Sequence, residues 1–417
     1  MTPTSRLLLA AMLATTAIAA PATAKKAEAA AAAAPGAVDA KNISKSVRPV
    51  LVEAQKLEAA GDNAGALAQL KTAEAAGNLN STDIFFISQM KLGLGNKLKD
   101  NTVLEEAIKA SANSEFLPAA EKPKYIKNLA ALALQRNDYN AATQYYEQLG
   151  TMTPNDPDIF SNLAVLYSRQ KQNPQAIAAL QKAITATKAS GKTPDESLYR
   201  TELKIAVDAK LPTLVQTASV DLVTAYPNPV NWRDALLVYR DSVKTDDQSN
   251  LDIFRLMDAA GALNGERDYA EYVETAIGKG LPGEARTVLA EGVQKGMLSN
   301  SKPYIADYNK SITTRLAADK ASLASGDKEA RAAATGKAAM GQGDAYYGYA
   351  EYAKAADMYR LALTKGGIDA ATANLRLGAT LAKAGDKAGA TAALQQVKGA
   401  PREALATYWM IWLGAKA

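Results

Sequence analysis

The sequence predicts an all-α protein made of tandem helix–turn–helix repeats stacked into a solenoid. Three observations carry this. First, one pattern occurs twice in succession, at Pro123–Asp156 and Pro157–Ser190, with an offset of 34 residues. Second, the chain is 48 % hydrophobic but only 6 % aromatic, and much of the remainder is alanine, which suits close helix crossings better than a β-core. Third, no stretch shows the alternating apolar pattern of strands.

The two copies align residue by residue. Pro123 matches Pro157, Ile126 matches Phe160, Leu129 matches Leu163, Ala130 matches Ala164 and Ala133 matches Tyr167. After a turn, Asn137-Asp138-Tyr139 set against Asn173-Pro174-Gln175, Ala142 matches Ala176, Tyr146 matches Leu180 and Leu149 matches Ala183. Apolar residues recur every three or four positions, so they share one helix face. Small residues mark where paired helices cross. One such hairpin cannot bury its apolar face alone, so neighbours must stack on it.

The remaining elements follow in order. Ile43 to about Gly77 is a hairpin with Val50, Ala54 and Leu57 on its first helix, a Gly61-Asp62-Asn63 turn, and Ala66, Leu70 and Ala73 on its second. Ser81–Ser114 is a degenerate copy with a lengthened turn from Gly93 to Asn101. Ser190-Gly191-Lys192-Thr193-Pro194 is a break, and Asp195 and Glu196 suit the helix start that follows. From Glu196 to about Gln248 the pattern stays helical but out of register. Leu251–Gly261 is a helix, Glu266–Ser299 another hairpin, and Pro303 to about Ser325 a longer helix ended by Gly326-Asp327-Lys328. Two further copies carry Gly343, Tyr346, Tyr352, Ala355 and Tyr359, then Leu377-Gly378, Leu381, Gly385-Asp386, Ala390 and Leu394. Arg402–Leu413 is a terminal helix whose Leu405, Trp409 and Trp412 would cap the open end; partner docking or contact with a membrane surface is its alternative.

The residues Phe160, Leu163-Ala164, Tyr167, Ala176, Leu180 and Ala183, with Pro154 closing the first copy, resemble the tetratricopeptide repeat family. The resemblance implies a right-handed α-solenoid acting as a protein-binding scaffold. It also implies that inner-face positions touch ligand, namely Lys124, Lys127, Ala131, Leu134 and Gln135, then Asp158, Ser161, Val165, Ser168 and Arg169, then Thr372, Leu375, Ala379, Ala382 and Lys383. Tyr347 falls at such a position too. This lining is mildly cationic, so an extended or helical peptide with acidic residues would fit. Lys127, Asn128 and Asn162 are superficially similar to the carboxylate clamp of some relatives, although Asn162 also occupies a position that is commonly asparagine for structural reasons. The site candidates are therefore Lys124, Lys127, Gln135, Asp158, Ser161, Arg169, Tyr347 and Lys383.

Residues 1–24 have the form of an export signal, with Arg6, an apolar run Leu7–Ala20 and an Ala22-Thr23-Ala24 cleavage site. Residues 25–42 form an alanine-rich tether, followed by repeats over 43–190, a divergent helical region over 191–300 and repeats with a capping helix over 301–417. The expected location is the bacterial periplasm, with secretion as the lesser option. No cysteine follows the signal to carry a lipoprotein-type anchor, and no other stretch is apolar enough to span a membrane. The formal net charge is +5, without the Lys/Arg runs that mark nucleic-acid binders. The sequence holds no cysteine and no histidine, which excludes Ser-His-Asp and Cys-His nucleophiles and zinc, haem or iron–sulfur ligation by those residues. The expectation is a non-enzymatic adaptor without cofactor or metal, whose partner is another protein or a peptide segment. A glycan-binding or peptidoglycan-hydrolysing envelope protein is the alternative, and it would need a deep pocket with paired carboxylates.

Overall fold

The computed structural model describes residues 38–243 and 246–415, so the expected signal segment and most of the tether lie outside the described residues. The chain forms two compact units, one ending at Lys122 and one beginning at Pro123. Among the described residues all regular structure is helical.

The first unit holds α1 (Arg48–Ala59), α2 (Asn63–Ala75), α3 (Ser81–Leu98) and α4 (Asn101–Ala112). Here α1 pairs with α2, α3 pairs with α4, and α2 packs on α3. Asp83 ties the unit together. It is fully buried, closes a capping box with Asn80 at the start of α3, and accepts hydrogen bonds from the Ser44 amide and hydroxyl. The lengthened turn expected between Gly93 and Asn101 is instead helix up to Leu98, with only Lys99 and Asp100 in the turn. Gly95 stays helical because it packs against the second helix: a β-carbon there would lie 3.0 Å from Leu104 Cγ.

The second unit runs through α5 (Lys122–Gln135), α6 (Tyr139–Met152), α7 (Pro157–Arg169), α8 (Asn173–Ala189), α9 (Glu196–Asp208), α10 (Pro212–Ala225), α11 (Pro229–Ser242), α12 (Asp247–Ala259), α13 (Gly265–Gly278), α14 (Pro282–Gln294), α15 (Pro303–Ala332), α16 (Lys337–Gly348), α17 (Tyr352–Lys365), α18 (Ala370–Ala384), α19 (Lys387–Leu394) and α20 (Arg402–Ala415). Consecutive helices pack in pairs, and each pair packs on the next through its neighbouring helix. This is the expected all-α repeat architecture.

One turn recurs inside the hairpins of both units. The first helix ends on a residue in the left-handed region, at Gly61, Lys99, Asn137, Lys171, Lys210, Gly280, Ala350 and Gly385. In each case the next amide donates to a carbonyl five residues back, as in Asp62→Leu57, Asp100→Gly95, Asp138→Ala133, Gln172→Tyr167 and Asp386→Leu381. This is the Schellman closure of a helix C-terminus. The residue that makes this bond is also the N-cap of the second helix, and Asp62, Asp138 and Asp386 accept there from a backbone amide three residues on. One residue thus ends one helix and starts the next, which fixes the hairpin angle. The counterpart of Asn137 is therefore Lys171, at the full repeat offset, and Asn173 already lies in α8.

The long helix α15 continues to Ala332, past the expected stop at Gly326. An Arg331–Asp327 ion pair spans one turn of that extension, and a β-carbon at Gly326 would lie 2.3 Å from Gln342 Oε1 on α16. Similar close crossings occur inside the hairpins: a β-carbon on Gly378 would lie 2.5 Å from Leu394 Cγ. Gly378→Ala is therefore expected to cost about 1–3 kcal/mol by overpacking, read as a lowered urea midpoint; an unchanged midpoint would show that α19 yields freely.

The terminal helix does not lie only on the last hairpin. It packs on α18, α19, α12 and α10, while Tyr408 meets the rings of Trp232 and Tyr239 on α11. Trp412 donates its indole N–H to the Ala259 carbonyl at 3.0 Å, and the Tyr239 hydroxyl donates to the Pro401 carbonyl. The core of the second unit thus closes between helices far apart in sequence. No described helix is long and apolar enough to cross a membrane.

Candidate functional site

The sequence-derived candidates fall into two structural classes. Along α5 and α7 they are accessible. Lys124, Lys127, Gln135, Asp158 and Arg169 are exposed, and Ser161 is half-buried, donating to the Pro157 carbonyl. Val165 on the same face of α7 is 55 % exposed. Arg169 stacks 5.4 Å from the Tyr139 ring centre. Asn162 donates to the Asp158 carbonyl one turn back, which fits the structural reading of that asparagine rather than a clamp. In this stretch Lys124, Lys127, Arg136, Arg169, Lys171, Lys182 and Lys188 outnumber Asp138, Glu147, Asp156 and Asp158. On the opposite side of α7, between α6 and α8, lies a cleft of about 820 Å³ floored by Phe160, Leu163 and Tyr167. Tyr167 donates to Glu147 at 2.6 Å. Burial, and then that carboxylate, push the Tyr167 hydroxyl up to about 12.

In the C-terminal repeats the inner-face positions are covered. Thr372, Leu375, Ala379 and Ala382 on α18 are all buried. The covering elements belong to the chain itself, because α12 and α20 both pack on α18. Lys383 pairs with Asp258 of α12 at 3.2 Å. Tyr347, expected as an exposed contact, is buried, and the Arg255 guanidinium lies 4.2 Å from its ring centre. Of the neighbouring tyrosines, Tyr346 and Tyr359 are core as expected, and Tyr349 is half-buried with its hydroxyl donating to Asp319.

Sequence reasoning missed what α12 brings with it. Residues 251–257 are buried without a break, including Asp252 and Arg255. Arg255 makes two parallel hydrogen bonds to Glu284 at 2.8 and 2.7 Å and a third to Asp344. Arg376 on α18 donates to Asp252, Asp344 and Gln248. Tyr272 donates to Glu284, and Tyr359 to Asp344. Five charged groups from α12, α14, α16 and α18 thus share one buried network. Burial pushes the Asp344 carboxyl up, but Arg376 and Arg255 outweigh it and hold the group below its ordinary value. For Asp252, burial prevails and raises it.

A cleft of about 690 Å³ opens beside this network, lined by Gln248, Lys337, Asp344, Asp369, Arg376 and Arg402. Both of its carboxylates are paired with arginines: Asp344 with Arg376 at 2.7 Å, and Asp369, which caps α18, with Arg402 at 3.2 Å. Against burial, the bond from Thr372 and the Arg402 charge keep Asp369 low. No group of acidic residues that could hold a metal occurs among the described residues.

Paired helices with a shared turn, small residues at the crossings and an exposed first-helix face define an α-hairpin repeat scaffold. The family model for the tetratricopeptide repeat matches residues 133–189, which cover the end of α5 and all of α6, α7 and α8. Residues 133–189 of the chain thus match the tetratricopeptide repeat. Solved structures similar to it include a tetratricopeptide repeat protein from Parabacteroides merdae (12 % identity, 72 % of this chain and 99 % of that one, TM-score 0.28). Others are the C-terminal part of a TPR repeat-containing protein from Cytophaga hutchinsonii (13 %, 62 % and 98 %, TM-score 0.29) and the TPR domain of P58(IPK) (14 %, 89 % and 99 %, TM-score 0.25). No curated protein matches.

Proposed function

We propose that this protein is a non-enzymatic interaction scaffold of the bacterial cell envelope, with a partner segment lying along the exposed face of α5 and α7. One contrast carries the reading. The equivalent face of the C-terminal repeats is filled by α12 and α20, whereas Lys124, Lys127, Val165 and Arg169 remain accessible. The cationic excess of this stretch suits a partner with acidic residues. The envelope location rests on the signal-like residues 1–24 and is tested by fractionating cells that express the tagged full-length chain.

The binding test compares wild type with Lys127→Glu/Arg169→Glu in pull-downs from an envelope extract, with helicity checked by circular dichroism. The double variant is expected to lose at least about tenfold in partner retention, since reversing rim charges costs encounter and complementarity. Equal retention by both baits would move the contact away from this face. Lys383→Glu is expected to act differently. It sets like charges against Asp258 and lowers stability by about 1–3 kcal/mol, seen as an earlier urea transition.

A further inference from the structure

The apolar layer between α8, α9 and α10 holds one carboxylate that no cation answers. Glu202, midway along α9, is 1 % exposed. Around it the layer is built from Ile177, Ile184, Tyr199, Leu203, Val215 and Leu222. Its Oε1 accepts from Gln181 Nε2 of α8 at 2.8 Å, and its Oε2 has no hydrogen-bonding partner among the described residues. The charged groups nearby are otherwise committed. On α8, Lys188 lies 5.7 Å from the Tyr199 ring centre and acts on Asp221, while Lys182 is turned to Phe160. On α9, Arg200 binds Glu196 and Asp234, and Lys204 binds Asp208. On α10, Asp221 adds a like charge. A buried carboxylate with one neutral donor and a like-charged neighbour is most stable protonated.

The place of this group matters. The α9–α10 hairpin is the link between α8, at the end of the open-faced repeats, and α11, where the remainder of the unit begins; α10 also packs on α20. We infer that this hairpin is a proton-operated joint: with Glu202 protonated, α8, α9 and α10 close as one apolar layer, and ionisation of Glu202 loosens α9 from α8. The repeats that carry the exposed face of α5 and α7 then gain freedom relative to α11–α20. This goes beyond the scaffold reading and does not depend on it.

Burial, and then the Asp221 charge against the Gln181 bond, raise Glu202 from 4.5 to about 7. The folded-state value lies above the unfolded one. Its stabilising contribution is therefore complete below the unfolded value and is lost as pH climbs through about 7.

The test is amide hydrogen exchange on the full-length chain at about pH 5.5 and about pH 8, corrected for intrinsic rates, with α13–α14 as internal reference. Wild type is expected to lose roughly tenfold to thirtyfold in relative protection across α8–α10 at the higher pH, and Glu202→Gln is expected to lose none. Equal protection in wild type at both pH values would overturn the joint, as would the same loss in Glu202→Gln. Asp221→Asn provides a second arm, because removing its charge should move the midpoint of the wild-type change to lower pH. A midpoint that stays in place would assign the titration to another group and overturn the inference.

Discussion

Arg255→Met is expected to destabilise the second unit by about 3–5 kcal/mol. The guanidinium is 2 % exposed, forks onto Glu284, reaches Asp344 and lies against the Tyr347 ring. Methionine fills most of that volume, so the loss is electrostatic more than a cavity effect. Glu284 keeps its bond from Tyr272, and Asp344 keeps Arg376 and Tyr359, yet Glu284 has no second cation. The stranded carboxylate must then open the packing between α12 and α14 to reach water. Adding Glu284→Met should return part of the loss, giving a coupling of about 1–3 kcal/mol in a double-mutant cycle. Urea unfolding followed by circular dichroism checks both values. A single variant within about 1 kcal/mol of wild type would mean that water reaches this network freely.

What the sequence revealed was what is local. The hairpins at Ile43–Gly77, Pro123–Asp156, Glu266–Ser299 and the last two copies follow from apolar spacing and small residues at the crossings, and both signals act within one repeat. Turns were legible where glycine or asparagine took the left-handed position, as at Gly61, Asn137, Gly280 and Gly385. They were missed or displaced where lysine took it, at Lys99, Lys171 and Lys210. There the backbone is held by the closing hydrogen bond and not by residue preference. Gly326 misled in the other direction, because its small size serves packing against α16 and not a helix stop.

The candidate site divides along the same line. Positions on α5 and α7 carried over from the family pattern are accessible. Tyr347, Lys383 and the inner face of α18 are not, because α12 and α20 cover them. Nothing in a helix such as α12 marks its partners: Asp252 and Arg255 have the appearance of solvated charges until Arg376, more than a hundred positions later, closes on Asp252 at 2.9 Å. Pairings of that sequence separation are set by the geometry of the whole stack, which single-repeat periodicity does not encode. One consequence is functional. A repeat array that fills part of its own inner face leaves only the remainder accessible, and here the buried ion network ties α12, α14, α16 and α18 together in the filled part.

Trp409→Ala is the second large effect, about 3–5 kcal/mol for removal of a fully buried indole. Trp409 is 1 % exposed and meets Trp412 edge to face at 5.3 Å. Where the loss appears is more informative than its size. If α20 merely capped the last hairpin, exchange protection would fall in α18 and α19 alone. Because α20 also packs on α12 and α10, and Trp412 is bonded to the Ala259 carbonyl, protection should fall in α10–α12 as well, some 150 positions upstream in the chain. Loss confined to α18–α20 would restore the cap. Unchanged stability with loss of a bound partner would instead favour α20 as a docking helix, an outcome at odds with an indole that leaves almost no surface for a partner to touch.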